Sequence, residues 1–492
     1  MKMKTQKWPL SSLINKSCGL KIEEKYANLE ILGVAIDSRK VGAGYLFAAF
    51  KGEKVDGKSF IPKAIDAGAV AILCEDDVEL PDGVCLIKCD NARKVFSHIA
   101  GTFYDNQPEV IAAVTGTNGK TSIVHFCREI WKRVGKHAAS IGTVGIEDSD
   151  GKFDYDRSNF LTTPDPVKLH DIIEKLAEKG VTNLAIEASS HGLTQYRPDG
   201  IKVNIAAFTN LTRDHLDYHG TFEKYLEAKS RLFSEVLREN GVAVLNADIE
   251  QYKYLKDICD KKGHKVVTYG AFKEGCKLDV EIYKISPLSE GMQISFSVVG
   301  KVYDIKTPLV GEFQAYNLLC ALAIVMSSGS NADEIVDVLP EIPCVLGRMQ
   351  KVEGVNVYVD YAHTPDALEK AIKVLHPHTS GKLWVVFGCG GDRDKGKRPQ
   401  MGKIACENAD YVIVTDDNPR TENPESIRSE IMAACGDNAK EIGDRQKAIE
   451  YAMSNMAKDD VLLVAGKGHE KTQTIGDKVL PFDDVEVVGR LR

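Results

Sequence analysis

The sequence predicts an α/β fold in three domains, and three observations carry that expectation. At 492 residues the chain exceeds what one core can bury, since domains run to roughly 150 residues each. Apolar strand-like runs alternate with helix-length segments in two separate series, one from Val110 and one from about Gly347. No internal repeat or low-complexity stretch points to another plan. The expected domains are 1–108, 109–346 and 347–492.

Up to about Pro108 short strands and helices mix. Gly44–Phe50 reads as a strand, Lys51–Lys58 as turn-rich and Ile61–Ala67 as a helix. From Val110 the expected strands are Val110–Val114, Asn183–Ile186, Ile205–Thr209 and Val242–Asn246, apolar runs of the kind a parallel sheet buries on both faces. Val280–Val302 reads as β-rich with a turn at Ser289-Glu290-Gly291, and an apolar helix over Ala315–Met326 closes the region. The second series has strands Val355–Val359, Leu383–Phe387, Tyr411–Val414 and Val461–Val464, with helices such as Pro365–Leu375 and Pro424–Cys435 between them. That rhythm predicts a doubly wound, Rossmann-like sheet in architecture only, because no G-x-G-x-x-G opens its first strand.

Composition narrows the function. Hydrophobic residues make up 43% and charged residues 27%, ordinary for a soluble globular protein. Lys and Arg total 63 against 71 Asp and Glu, a formal charge of −8, which argues against nucleic-acid or membrane-surface partners. The apolar run Leu318–Met326 is about half of the ~18 residues a membrane span needs, and Met1–Leu10 lacks the apolar core of a signal peptide. The 12 cysteines form no C-x-x-C pair; Cys85 and Cys89 come closest, with no second pair to complete a zinc site. The expectation is a cytoplasmic protein with reduced, mostly buried thiols and no membrane insertion.

The most informative segment is Thr115-Gly116-Thr117-Asn118-Gly119-Lys120-Thr121, between the strand Val110–Val114 and a helix through Ile123–Trp131. Strand, glycine loop and helix form the context of a phosphate cradle: glycines turn backbone N–H groups inward, and the helix N-terminus adds partial positive charge. Lys120 can reach β/γ phosphates and Thr121 is placed for Mg²⁺. Val114 stands where the standard G-x-x-x-x-G-K-[ST] loop has its first glycine. No N-K-x-D guanine reader follows, so ATP is the expected nucleotide. Two further strand ends, at Glu187 and at Thr209-Asn210 with His215 beyond it, share the carboxyl edge of a parallel sheet with that loop. A carboxylate and an imidazole there can hold Mg²⁺ between ATP and a substrate.

With these residues the chain resembles the Mur ligase family, which builds the cell-wall peptide on a UDP-sugar. The matching segments are Thr115–Thr121, Glu187–Leu193, Asn210–Gly220, Tyr225–Phe233, Gly347-Arg348-Met349, Asp360–Leu368, Gly388–Pro399, Asp417–Arg420 and Gly466–Glu470. The resemblance implies a UDP-binding first domain, a P-loop ATPase-like central domain and a Rossmann-like third. It implies ATP-driven amide formation through an acyl phosphate, with lysine and Mg²⁺ offsetting the repulsion of two anions. Lys120, Glu187, His215 and Lys229 become the catalytic set, and Thr121, Glu187, His215 and a carbamylated Lys229 the metal set. By position alone Lys229 reads as a surface helix lysine. Thr115–Thr121 with Ser122, Asn317 and Arg348 become the ATP contacts, and sharing of ATP between two domains implies domain closure. Gln314 and Gln350 depart from the family pattern, where asparagine and glutamate are usual.

The first domain carries Asp37-Ser38-Arg39 and Gly52-Glu53-Lys54-Val55-Asp56-Gly57, which resemble the uridine-diphosphate segments of the member that adds the third amino acid. Ile36 and Ser38 would contact the nucleotide, and Thr162, Thr163, Ser189, Gln195 and Arg197 the sugar–dipeptide. For the incoming amine, Asp417-Asn418-Pro419-Arg420 follows the strand Tyr411–Val414 at its carboxyl end. Arg420 can pair with a carboxylate and Asp417 or Asn418 can receive an ammonium. In the family this tetrapeptide is typical of diaminopimelate-adding members, and Arg393, Gly466 and Glu470 match the remaining contacts. The implied activity, by a monomer, joins meso-diaminopimelate to UDP-N-acetylmuramoyl-L-alanyl-D-glutamate. The alternatives are lysine addition and a catalytically silent nucleotide-binding partner.

Overall fold

The computed structural model describes residues 7–17, 20, 22–52, 55–151, 153, 155, 161–288 and 290–492, with the backbone alone at Asp217. Glu53, Lys54 and Ser289, singled out in the expected turns, lie outside them. The chain divides into two compact units, 1–281 with 319–336 and 282–318 with 337–492.

The first unit holds a four-stranded parallel sheet in the order Gly33–Ala35, Tyr45–Ala48, Ala69–Cys74, Cys85–Lys88. Alternation along the strands fills both faces. Leu46, Ala48, Leu73 and Ile87 pack with Phe96 and Ile99 of the helix Ala92–Phe103, while Phe47, Ile72 and Cys74 pack with Ile61 and Ala64. That helix starts at Asn91, whose side-chain oxygen accepts from Lys94 N at 2.9 Å, satisfying one of its free N–H groups.

Seven further strands of this unit run in the order Lys265–Ala271, Leu237–Asn246, Val203–Phe208, Val110–Thr115, Asn183–Glu187, Ala138–Gly142, Gly145–Asp148. All their pairings are parallel except the last, an antiparallel hairpin. The four strands expected from sequence are present. Ala138–Gly142, missed there, is a short run in which only Ile141 has a strong intrinsic β preference, held by pairing with Asn183–Glu187. Val110–Thr115 lies between Asn183–Glu187 and Val203–Phe208, with Val114 opposite Glu187 and Thr115 opposite Phe208. Three strand ends therefore lie side by side at one carboxyl edge.

In the second unit a six-stranded sheet runs Gln350–Lys351, Val357–Asp360, Val461–Ala465, Leu383–Phe387, Tyr411–Val414, Ala439–Glu441, parallel except at the first pairing. Leu383, Val385 and Phe387 face one core, Trp384 and Val386 the other, as a sheet covered on both faces requires. The last parallel strand, Val461–Ala465, inserts between the first two, an order that hydrophobic rhythm does not encode. Arg445 and Asp484 form a fully buried ion pair, with Arg445 Nη2 donating to Asp484 Oδ2 at 2.7 Å and to the Ala465 carbonyl at 3.0 Å. The pair ties the helix Asp484–Leu491 to the end of that strand.

Among the described residues no helix is long and apolar enough to cross a membrane. Most of their cysteines are buried, and none forms a disulfide.

Candidate active site

The loop after Val110–Thr115 has Gly116 at φ +142° and Gly119 at φ +87°, conformations that L side chains rarely adopt. A Cβ on Gly116 would overlap the Thr209 hydroxyl. The neighbouring strand end braces the loop: Asn118 N donates to Asn210 Oδ1 at 3.0 Å, Thr209 Oγ1 to the Asn118 carbonyl at 2.6 Å, and Thr117 N to the Asn210 carbonyl at 2.9 Å. Lys120 opens the helix Lys120–Arg133 and folds its ammonium back onto the Gly116 and Thr117 carbonyls at 2.9 and 2.8 Å. Thr115 and Ser122 are buried.

Lys229 shares the Gly116 carbonyl at 2.8 Å. It is not a surface lysine: only 1% of it is exposed, and it lies over the Tyr225 ring at 4.5 Å. The helix Phe222–Arg231 buries the face carrying Tyr225, Ala228 and Lys229, so the positional reading fails to tertiary packing. Burial first, and the Lys120 charge second, hold its ammonium well below the usual lysine range. Tyr225 was not singled out as a contact by sequence, although its i, i+4 spacing from Lys229 places both on one helix face. Its hydroxyl lies 3.2 Å from Thr117 Oγ1.

Glu187 ends its strand 2% exposed, with Oε1 accepting from Thr143 N at 2.8 Å and Oε2 from Thr143 Oγ1 at 3.2 Å. Gly142 makes room for it, since a Cβ there would overlap the carboxylate. Glu187 and Thr121 line one small recess together with His125, Gly142 and Glu147. His215 makes a different set of contacts. It precedes the short helix Leu216–His219 at φ +51°, about half exposed, 3.4 Å from Asp214 Oδ2 and edge-on to His191 at 4.9 Å and Tyr225 at 6.3 Å.

Thr162, Thr163, Ser189, Gln195 and Arg197 form one network. Thr163 Oγ1 donates to the Glu187 carbonyl at 2.8 Å and accepts from Ser189 N at 3.0 Å. Arg197 donates to the Thr163 carbonyl at 2.6 Å and to Gln195 Oε1 at 2.7 Å. Thr162 Oγ1 lies 3.2 Å from Thr143 Oγ1, which joins this network to the Glu187 end. In the four-stranded sheet, Ile36 and Ser38 follow Gly33–Ala35, and Gly52 follows the adjacent Tyr45–Ala48, at the carboxyl edge. Ser38 is buried in a turn that Asp37 closes by accepting from Arg39 N at 3.0 Å.

In the second unit, the loops after three adjacent parallel strands, Val461–Ala465, Leu383–Phe387 and Tyr411–Val414, carry the candidates for the amino acid. Asn418 Nδ2 donates to Glu470 Oε2 at 2.8 Å. Asp417 and Pro419 are buried, and burial pushes the Asp417 carboxyl up, with Arg445 and then Lys467 opposing. Gly466, at φ +113°, admits Asp417: its Cβ would come within 2.7 Å of Oδ2. Arg420 lies at φ +53° and donates Nη1 to the Gly391 carbonyl at 2.8 Å. Arg393 is exposed on the neighbouring loop. Tyr361 marks the centre of this region, with Arg348 5.2 Å and His469 5.2 Å from its ring; burial and the Glu470 charge push its phenol up. Gln314 accepts from Asn317 Nδ2 at 3.0 Å, and Gln350 accepts from Gly347 N at 2.8 Å, so both departures still hydrogen-bond. Sequence reasoning gave Lys467 and Tyr361 no role; the only signal was their membership of two strand-end segments.

Among the described residues no group of three or more His, Cys, Asp or Glu is arranged to hold a metal. The oxygen set Thr121 plus Glu187 still fits Mg²⁺, which uses one or two carboxylates with substrate phosphates and water.

A strand, glycine loop and helix beside a buried carboxylate and a buried lysine suit the phosphate chemistry of an ATP-dependent ligase. Family comparisons agree. Residues 30–117 match the Mur ligase family catalytic domain, 114–325 the Mur ligase middle domain and 347–468 the Mur ligase glutamate ligase domain. The UDP-N-acetylmuramoyl-L-alanyl-D-glutamate–2,6-diaminopimelate ligase of Zymomonas mobilis is 46% identical, covering 95% of this chain and 96% of its own. The ligase of the same name from Bradyrhizobium diazoefficiens is also 46% identical, with coverage of 95% and 96%. A solved structure of a ligase with that name superimposes with a TM-score of 0.74 at 34% identity, covering 97% of this chain and 98% of its own. The chain belongs to the Mur ligase family.

Proposed function

We propose that this chain joins meso-diaminopimelate to the D-glutamate carboxylate of UDP-N-acetylmuramoyl-L-alanyl-D-glutamate, with ATP converted to ADP and phosphate. One arrangement carries the choice of amine: the buried Asp417 and the Asn418–Glu470 pair offer acceptors for an ammonium, and Arg420 and Arg393 supply cations nearby. A substrate with a second carboxylate and a second ammonium at its far end uses both kinds of group. Full-length relatives with 46% identity carry the name of that reaction.

In the reaction a carboxylate oxygen of the dipeptide forms a bond to the γ-phosphorus while the bond to the β,γ-bridging oxygen breaks. The free amine of the second substrate then attacks the acyl carbon, and phosphate leaves as the amide forms. Lys120 exchanges its two carbonyl acceptors for β/γ-phosphate oxygens, and Thr115–Ser122 surrounds them with N–H groups. Asn317 and Arg348 contact the nucleotide. Ile36 and Ser38 hold the uridine diphosphate, and Thr162, Thr163, Ser189, Gln195 and Arg197 hold the sugar–dipeptide. Gly466 leaves room for the Asp417 carboxylate beside the amino acid, and Pro419 fixes the chain beside Arg420.

Mg²⁺ would be held by Thr121 and Glu187, with His215 and a carbamylated Lys229 for a second ion, and would screen the phosphates from the attacking carboxylate. Carbamylation needs a neutral amine: the Lys229 nitrogen bonds to the carbon of CO₂, releases one proton and becomes an N-carboxylate. Its depressed ammonium supports that step. The working form is a cytoplasmic monomer whose domains are 1–108, 109–346 and 347–492, divisions supported by the three matched segments.

Arg420→Ala tests the amine assignment. The KM for diaminopimelate should rise about tenfold or more, from loss of a charge-assisted pair, while the KM for ATP stays level. An unchanged diaminopimelate KM would refute the role.

A further inference from the structure

We propose that Lys467 is a positioning residue for the amino-acid substrate, setting the Asn418–Glu470 pair in one geometry without touching the substrate itself. The proposal rests on reading Asp417–Arg420 and Gly466–Glu470 as the amino-acid pocket. Lys467 is 0% exposed, a costly place for an ammonium unless every donor is used. Its Nζ has three N–H groups and three acceptors: Thr472 O at 2.7 Å, Asn418 Oδ1 at 3.3 Å and Glu470 Oε2 at 3.3 Å. No donor remains for a ligand. Two of the acceptors belong to the residues assigned to the amino acid, and those two also bond each other at 2.8 Å.

The surroundings fix the same unit from the other side. Thr474 N donates to Asn418 Oδ1 at 2.9 Å and Gln473 Nε2 to the Asp417 carbonyl at 2.8 Å. Thr474 O accepts from Arg420 N at 3.0 Å, and Gly476 N donates to the Arg420 carbonyl at 2.6 Å. The hairpin of strands Thr472–Ile475 and Lys478–Pro481 thus holds Arg420 at its positive φ. The Lys467–Thr472 bond anchors that hairpin to the strand end that carries Gly466. Among the described residues, Lys467 is the one side chain bonded to Asn418, Glu470 and the hairpin together. Without its charge, Asn418 and Glu470 keep their mutual bond but lose the cation that orients both oxygens.

Lys467→Met keeps most of the aliphatic stem and removes the ammonium. Steady-state phosphate release by the full chain is measured while diaminopimelate, ATP and the UDP-dipeptide are varied in turn. The expected result is a diaminopimelate KM raised about tenfold to a hundredfold, with ATP and UDP-dipeptide KM values within about twofold. Combining it with Asn418→Ala should add little to either single change, because both disturb one unit. Equal increases in all three KM values, or none, would overturn the proposal, as would full additivity. If Lys467→Met does not fold, Lys467→Gln, which keeps one donor pair, is read in the same way. Wild type is first assayed with diaminopimelate and with lysine. A wild type using lysine alone sinks the substrate reading, and the lysine KM then carries the Lys467 test.

Discussion

The proposed chemistry of the central site turns on the buried nitrogen of Lys229. In the folded chain its ammonium is held well below the ordinary 10.5, the value the unfolded chain keeps. Between the two values the unfolded chain binds the extra proton, so this group's contribution to stability rises with pH across that window; below it the burial cost is constant. The same sign governs reactivity, since only the neutral amine captures CO₂. Lys229→Ala should lose about a hundredfold or more in phosphate release, partly restored by formate or acetate. Wild type stripped of CO₂ should lose activity and regain it with bicarbonate, faster at higher pH. Full activity of Lys229→Ala would rule out the assigned role. Gly142→Ala tests the opposite partner: its new Cβ would displace the Glu187 carboxylate. The expected strain is about 1–3 kcal/mol, seen as a lower denaturation midpoint with kcat falling far more steeply. A variant with wild-type kcat would remove Glu187's exact placement from the account.

At the scale of elements, parallel strands deliver the chemistry by ending side by side. Much of this was legible in the sequence, because strand, glycine loop and helix are local patterns: Leu383–Phe387, Tyr411–Val414 and Pro365–Leu375 appear at their expected bounds. Strand order was not legible, as the insertion of Val461–Ala465 between the first two parallel strands depends on long-range packing. Nor was the burial of Lys229 or Lys467, which is decided by what covers a helix or strand end. The last helix shows what such packing contributes. Asp484→Asn would leave the Arg445 guanidinium buried beside a neutral partner, and unfolding in denaturant should show a loss of about 3–5 kcal/mol. An unchanged midpoint would mean the helix Asp484–Leu491 contributes little to holding the strand end that precedes Gly466.

For the whole molecule, the charge of −8 means that the proposed anionic substrates have to be met by local cations and not by the overall field, and Lys120, Arg197, Arg348, Arg393 and Arg420 are the proposed ones. The family membership rests on matches spread along the chain, while the amine rests on a few side chains in the second unit. The most direct test of the account is therefore phosphate release from ATP by the purified chain, with Mg²⁺, bicarbonate and UDP-N-acetylmuramoyl-L-alanyl-D-glutamate present and each amino acid added in turn. Rapid release is expected with meso-diaminopimelate and little with L-lysine. Strong release with lysine and none with diaminopimelate, or no release with either, would contradict it.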